Sequence, residues 1–299
     1  MIKVTLKGGD IREYENGTNL LDMAKSISEG LARNCLAADV NGETKEMNFV
    51  PESDCEVSFL TFNDENGRKA YRHTASHVLA QAIKRLYPNT KLAIGPAIED
   101  GYYYDFEFET PITTGDFEKI EAEMKKIIKE NIPLEKFELP RDEAIKFMKK
   151  KDEPYKVELI ENLPDDAVIS FYKQGDFLCA GPHLMSTGKL KAVKLQSLAG
   201  AYWRGNEKNK MLSRIYGTAF PKQSELNAYL EKLEEAKKRD HNKIGRELGY
   251  FRTVDYIGQG LPIMLPKGAR VLQLLQRFVE DEEQKRGYLL TKTPFLAKR

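Results

Sequence analysis

Two short clusters hold most of the residues that could do chemistry. The first is His73-Thr74-Ala75-Ser76-His77 and the second is Cys179-Ala180-Gly181-Pro182-His183. Each places its two ligand-type residues four apart. On a helix such residues share a face, so His73 and His77 can together hold a metal, or bind and polarise a water. A lone pair of histidines on a helix is more often solvated than catalytic; the second cluster raises the expectation of a site. The chain has 4 histidines and 3 cysteines, and three of those histidines with one cysteine fall in these clusters. Three nitrogens and one sulfur suffice for a tetrahedral metal site, with His73, His77, Cys179 and His183 as the ligands. The same groups could equally line a wet polar pocket with no metal.

The first cluster needs a helix. Tyr71, Val78, Leu79, Ala82, Ile83 and Leu86 recur at helical spacing, which predicts one over residues 70–86. The second cluster contains Gly-Pro and predicts a loop, fed by a strand over Val168 to Tyr172. Upstream, residues 2–6 alternate as a strand, Lys7 to Asp10 turn, and Arg12 to Tyr14 begin a second strand. Thr18 is the expected N-cap of a helix through Leu20, Leu21, Ala24 and Ile27. Strands over Cys35 to Val40 and Glu56 to Phe62 complete a strand-strand-helix-strand pattern, which predicts a small β-grasp module. Cys35, and Cys55 at the edge of the second of these, lie on predicted strands without a histidine nearby and read as structural. A domain boundary is expected in the polar stretch from Asn63 to Lys69.

Tyr102 to Phe106 reads as a strand, Phe117 to Ile128 as an amphipathic helix and Arg141 to Lys150 as a short one. From Lys189 to Arg214 the chain is locally basic, at +6, with Tyr202, Trp203 and, just beyond, Tyr216 interleaved. Such a stretch fits a single-stranded nucleic-acid end, charge tracking phosphates and rings stacking bases. The bland alternative is a solvated face over an aromatic core. Glu225 to Arg239 reads as a charged connector helix. Gly258-Gln259-Gly260 lacks the Lys-Ser/Thr of a phosphate loop and is discounted. A long helix over Ala269 to Arg286 and a strand over Tyr288 to Thr293, ending at Pro294, close the chain.

The 299 residues suffice for two or three domains. A net charge of +1 gives no global nucleic-acid signature, so any such surface must be local. No stretch approaches 18 apolar residues, so no membrane partner is expected. Three cysteines do not suggest a disulfide framework, and a cytoplasmic location is the default.

In combination these motifs resemble the N-terminal part of the bacterial threonyl-tRNA synthetase family. The β-grasp module resembles its TGS domain, and HTASH with CAGPH resembles the paired motifs of its editing domain. The stretches GPAIEDGYYYDF, LAGAYWRGNEKNKMLSRIYGTAF, RDHNKIGRELGYF and GLPIMLPKGA are similar to that enzyme throughout. HxxxH with CxxxH alone would be less specific, because alanyl-tRNA editing domains share it.

The resemblance implies an α+β chain with four parts. These are a ubiquitin-like β-grasp TGS domain over 1–62, an editing domain over 63–221, a connector helix over 222–245, and the start of a class II antiparallel-sheet domain over 246–299. Glu280 to Pro294 is similar to class II motif 1, the dimer-interface helix and strand. Motifs 2 and 3, the catalytic zinc ligands and the anticodon-binding domain have no counterpart in these residues, so the chain is expected not to activate threonine. The family uses ATP, Mg and a catalytic-domain zinc; for these residues no cofactor is certain.

The implied activity is hydrolysis of mischarged seryl-tRNA(Thr), with His73, His77, Cys179, His183, Lys156 and Tyr104 lining the site. That family carries an Asp two residues before the cluster cysteine. Here Phe177 stands at that place, in a segment two residues shorter, and Asp176 is the candidate from one position back. The implied partners are the acceptor end of tRNA(Thr), contacted by Lys189, Lys194, Tyr202, Trp203, Arg204, Lys210 and Arg214, and a second copy in a full-length homodimer. A free-standing alanyl-tRNA-type deacylase and a non-catalytic TGS-containing RNA-binding protein are the alternatives.

Overall fold

The alternating N-terminal residues form β1 (Ile2–Leu6), which turns back through Gly8 and Gly9 into antiparallel β2 (Ile11–Tyr14). In the computed structural model of the chain, residues 1–164, 167–173, 177–179, 181–258 and 260–293 are described. Helix α1 (Leu20–Ile27) buries Leu20, Met23 and Ala24. Its N-cap is Asn19, whose side chain accepts the Asp22 N–H at 2.8 Å, and not Thr18. The Thr18 hydroxyl instead donates to the Glu15 carbonyl at 2.8 Å. A second helix, α2 (Glu29–Asn34), occupies the run-up to the predicted strand, which shortens to β3 (Ala37–Val40).

A turn at Asn41-Gly42 leads into β4 (Glu43–Lys45), and β5 (Cys55–Leu60) runs parallel to β1 and antiparallel to β3. The mixed sheet has the order β2-β1-β5-β3-β4, the β-grasp arrangement. Cys35 and Cys55 are buried free thiols, and burial pushes Cys35 up to about 11.

Most of the polar stretch expected as a boundary is the first turns of helix α3 (Glu65–Leu86). Asp64, its N-cap position, accepts the Thr61 N–H at 2.8 Å. Gly67 is required there, because a Cβ would run into the Thr61 carbonyl. Two short strands follow, β6 (Lys91–Leu92) and β7 (Ala97–Ile98), then β8 (Gly101–Glu107) and helix α4 (Phe117–Glu130). Next come β9 (Lys136–Leu139), α5 (Arg141–Lys150), α6 (Pro154–Glu161), β10 (Ile169–Tyr172) and β11 (Phe177–Leu178). The order β11-β10-β9 makes a small antiparallel sheet.

The basic stretch is a long hairpin, β12 (Ala192–Tyr202) and β13 (Met211–Phe220), with a register shift between Leu195 and Ser197. It joins β8 and β6 in the order β12-β13-β8-β6. Helix α3 lies in a continuous core with that sheet and α4, where Val78, Leu79, Ile83, Tyr102, Phe106, Ile120 and Ile215 are buried.

The chain divides into compact units at Met1–Leu226 and Asn227–Arg299, within helix α7 (Gln223–Lys238). The second unit contains α8 (His241–Glu247), the ribbon of β14 (Phe251–Arg252) with β15 (Ile263–Met264), and α9 (Pro266–Lys285). The strand expected over Tyr288 to Thr293 is not formed: these residues pair with no strand, and Leu289 is 91% exposed. A strand forms only where a neighbouring strand offers backbone partners; here the Tyr288 N–H turns back to the Glu283 carbonyl at 3.0 Å, and among the described residues no strand pairs with this segment. Gln259 and the segment from Pro294 onward lie outside the described residues. No described helix is long and apolar enough to cross a membrane.

Candidate active site

Helix α3 carries His73 and His77 on one face, and the segment after β11 brings Cys179 and His183 to them. The ligand atoms of these four residues all lie within 4.8 Å of one another. Cys179 Sγ stands 3.3 Å from His73 Nε2 and 3.2 Å from His183 Nε2. The three imidazoles crowd together, with ring centroids 4.5 to 4.9 Å apart.

The second cluster is held by backbone contacts on both sides. The Cys179 N–H donates to the Ser170 carbonyl at 3.1 Å, and the Ser170 hydroxyl donates to the Cys179 carbonyl at 2.5 Å. Beyond the cis Gly181–Pro182 bond, the Leu184 N–H donates to Thr74 Oγ1 at 3.0 Å. The Thr74 hydroxyl donates to the Ala70 carbonyl at 2.8 Å and lies 3.4 Å from His183 Nδ1. A hydroxyl has one proton, and the shorter contact takes it. We therefore assign the Nδ1 proton to His183, which leaves its Nε2 lone pair facing Cys179.

Thr74 was not among the residues singled out from sequence, although it lies between the two histidines. Its role depends on a partner 109 residues away, which spacing cannot reveal. Ser76 is similar: its hydroxyl contacts the His73 and Gly95 carbonyls and fixes the helix against the next loop.

Burial sets the electrostatics. His73 is pushed down to about 4, first by desolvation and then by Lys156. His77 and His183 are also held below the usual imidazole range, mainly by desolvation and then by neighbouring histidines. All three are neutral at pH 7, the form that accepts a proton or binds a metal. Lys156, buried on α6, is lowered to about 8 by desolvation, while Cys179 and Glu153 oppose the shift. Its ammonium lies 5.8 Å from the Tyr104 ring centroid. Tyr104, buried on β8, has its hydroxyl pushed well up by burial. The structure thus places His73, His77, Cys179, His183, Lys156 and Tyr104 in one neighbourhood. Asp176 lies outside the described residues.

Three imidazole nitrogens and one thiolate sulfur within 4.8 Å of one another are the donor types of a tetrahedral zinc site. The donor set fits such an ion, with His73, His77, Cys179 and His183 as the residues that would hold it. The adjacent Lys156 ammonium works against a divalent cation.

The residues expected to contact nucleic acid are less free than their charge suggested. Arg214 makes a bidentate pair with Asp105 at 2.7 and 2.8 Å. Lys194 pairs with Glu121 at 3.0 Å, Arg204 with Glu158 at 3.1 Å, and Lys210 with Glu107. Trp203 is buried against Tyr155 and donates to Glu158, so it is a core ring and not a stacking surface. Tyr202 is 40% exposed, and Lys189 has no carboxylate partner among the described residues.

The comparisons with known proteins agree with this organisation. Residues 2–61 match the family described as TGS domain. Residues 169–216, which include the second cluster and most of the hairpin, match the family described as Threonyl and Alanyl tRNA synthetase second additional domain. The chain therefore carries a TGS domain and a stretch matching a domain of aminoacyl-tRNA synthetases, in an α+β fold.

Along its whole length it is similar to threonine--tRNA ligases. It is 60% identical to that of Clostridium perfringens over 300 residues, 100% of this chain and 46% of the relative. It is 60% identical to that of Acetivibrio thermocellus over 298 residues, 99% of this chain and 47% of the relative. For Clostridioides difficile the identity is 56% over 301 residues. The resemblance to the N-terminal part of bacterial threonyl-tRNA synthetases thus extends over the full chain, which spans about half the length of the curated relatives it matches.

Proposed function

We propose that this chain is the tRNA-editing portion of a threonine--tRNA ligase, and that it hydrolyses the ester of seryl-tRNA(Thr). A pocket gains only about 1–3 kcal/mol from the single methyl that separates threonine from serine. A synthetic site alone would therefore mischarge serine, and a second site must remove it. The observation that carries the reading is the convergence of three neutral imidazoles and one thiol beside a buried lysine, with Cys179 and His183 inside the stretch that matches the synthetase second additional domain.

The chemistry follows from those groups. A water held between the imidazoles attacks the ester carbonyl and passes its proton to a neutral ring nitrogen. His183 is the ring whose tautomer is set, because Thr74 fixes Nδ1 as the donor and leaves Nε2, on the side that faces Cys179, as the proton acceptor. Charge developing on the carbonyl oxygen is met by the Lys156 ammonium. Collapse of the tetrahedral intermediate breaks the bond to the ribose oxygen, which takes the proton back from the imidazolium. Threonine is spared because its extra methyl meets the wall or displaces the water.

Water attack without a metal is the reading favoured by Lys156. Stoichiometric zinc, with activity lost to chelator and restored by zinc, would replace it. The acceptor end of tRNA(Thr) is the partner, a homodimer is the state of the full-length enzyme, and a cytoplasmic location suits both. The test offers the chain seryl-, alanyl- and threonyl-tRNA(Thr). Release of serine alone supports the proposal. Preference for alanine indicates an alanyl-type deacylase, and binding with every ester intact indicates a non-catalytic RNA-binding module.

A further inference from the structure

Glu46 follows β4 of the N-terminal β-grasp domain, yet its carboxylate serves the second domain. Its Oε1 accepts the backbone N–H of His183 at 3.0 Å and the hydroxyl of Tyr172 on β10. Tyr172 in turn lies edge-on to the His183 imidazole, with centroids 4.3 Å apart at 78°. Gly181 fits between them: its φ is +73°, and a Cβ there would run into the Tyr172 hydroxyl and stand 3.3 Å from Glu46 Oε1. Pro182 has no N–H, so the His183 amide is the donor that can pin this stretch from the N-terminal side. Thr74 pins the next amide from the other side.

Docking of the two domains does not need this carboxylate. Met185 packs against the core of the N-terminal domain, Leu36 packs in the core of the second, and Ala37, Leu60 and Ala70 form a shared cluster. A half-buried carboxylate aimed at the backbone of His183 adds direction to a contact that apolar packing already makes.

We propose that Glu46 is a positioning residue for the hydrolytic site, holding the Gly181–His183 segment so that the His183 imidazole meets Cys179 and the attacking water. The β-grasp domain is then a structural part of the editing centre. The inference rests on the hydrolytic reading above, and its test separates the two.

The experiment uses the full chain and compares Glu46→Ala with Glu46→Gln, which keeps an oxygen acceptor at the same reach. Amide hydrogen exchange over residues 181–185 reads the tether directly, and exchange in β1 and β5 confirms that the fold is intact. Glu46→Ala should speed exchange of the His183 amide by at least about tenfold. It should lower kcat for serine release by about tenfold with KM for seryl-tRNA(Thr) unchanged, as displacement of a reacting group does. Glu46→Gln should restore both. Tyr172→Phe, which leaves the His183 contact in place, should give a milder loss and serves if Glu46→Ala does not fold. Unchanged His183 exchange in Glu46→Ala overturns the tether. Faster exchange with undiminished kcat overturns the positioning role. Faster exchange in a chain whose native form releases no serine upholds the tether and overturns the hydrolytic reading instead.

Discussion

Cys179 stands between two imidazole nitrogens at 3.2 and 3.3 Å, a geometry that would suit either a nucleophile or a partner in holding water. The two roles separate on substitution. The thiolate is the reactive form of cysteine, so Cys179→Ser should abolish a thioester route but cost a water route less than about tenfold, read under single-turnover conditions. The pH dependence tests Lys156 and the histidines together. Burial holds His183 and His77 below the usual imidazole range and His73 at about 4, while Lys156 lies at about 8, so in the neutral range below about 8 the rings are uncharged and the lysine charged. Enzymatic hydrolysis should be flat through this window and fall as pH rises through about 8. Lys156→Met should be slower and lose the alkaline limb; a rate that climbs steadily past pH 8 would remove the ammonium from the mechanism. Stability has its own sign. Folded His73 lies below the unfolded value of about 6.5, so between the two the unfolded chain binds more protons. This stability is complete above about 6.5 and is lost as pH falls toward about 4, which thermal melts across that range should show.

The elements show where sequence reading succeeds and where it stops. Helix α3 was legible because its apolar spacing is local, and so was the pairing of His73 with His77. The β12–β13 hairpin was not: Ala and Gly dilute its alternation, and the register shift after Leu195 breaks it. Thr18 and Asn19 are both good caps, and only backbone geometry chooses Asn19. The +6 of the basic stretch omitted carboxylates that sequence places far away: Asp105 and Glu107 on β8, Glu121 on α4 and Glu158 on α6. Thr74 and Glu46 contact the second cluster from distant segments, and no spacing rule points to them; Tyr172 lies on the strand that feeds the cluster, but its hydroxyl contact with Glu46 is equally invisible to spacing.

A prediction follows for tRNA contact. Lys189 and Lys191 lack carboxylate partners among the described residues. The double change Lys189→Gln, Lys191→Gln should reduce the salt slope of tRNA binding by about 1.5, at roughly 0.7–0.9 per phosphate contact. Arg204→Gln with Lys210→Gln, which removes already paired cations, should reduce it by less than about 0.5. The reverse order would place the tRNA on the hairpin tip.

At the scale of the whole chain, a net charge of +1 means that the proposed affinity for tRNA must come from placement of charge and not from its amount. The first compact unit, Met1–Leu226, contains both the β-grasp sheet and the histidine cluster, and Glu46 reaches 137 residues along the chain to His183. The contacts around the cluster therefore come from segments far apart in the sequence but within one compact unit. The most direct measurement loads one tRNA(Thr) separately with labelled serine and labelled threonine and follows single-turnover release by this chain. Serine should be released and threonine spared, with the double change His73→Ala, His77→Ala slowing release on the order of 10²-fold or more. Equal hydrolysis of both esters, or serine release untouched by the double change, would contradict the account.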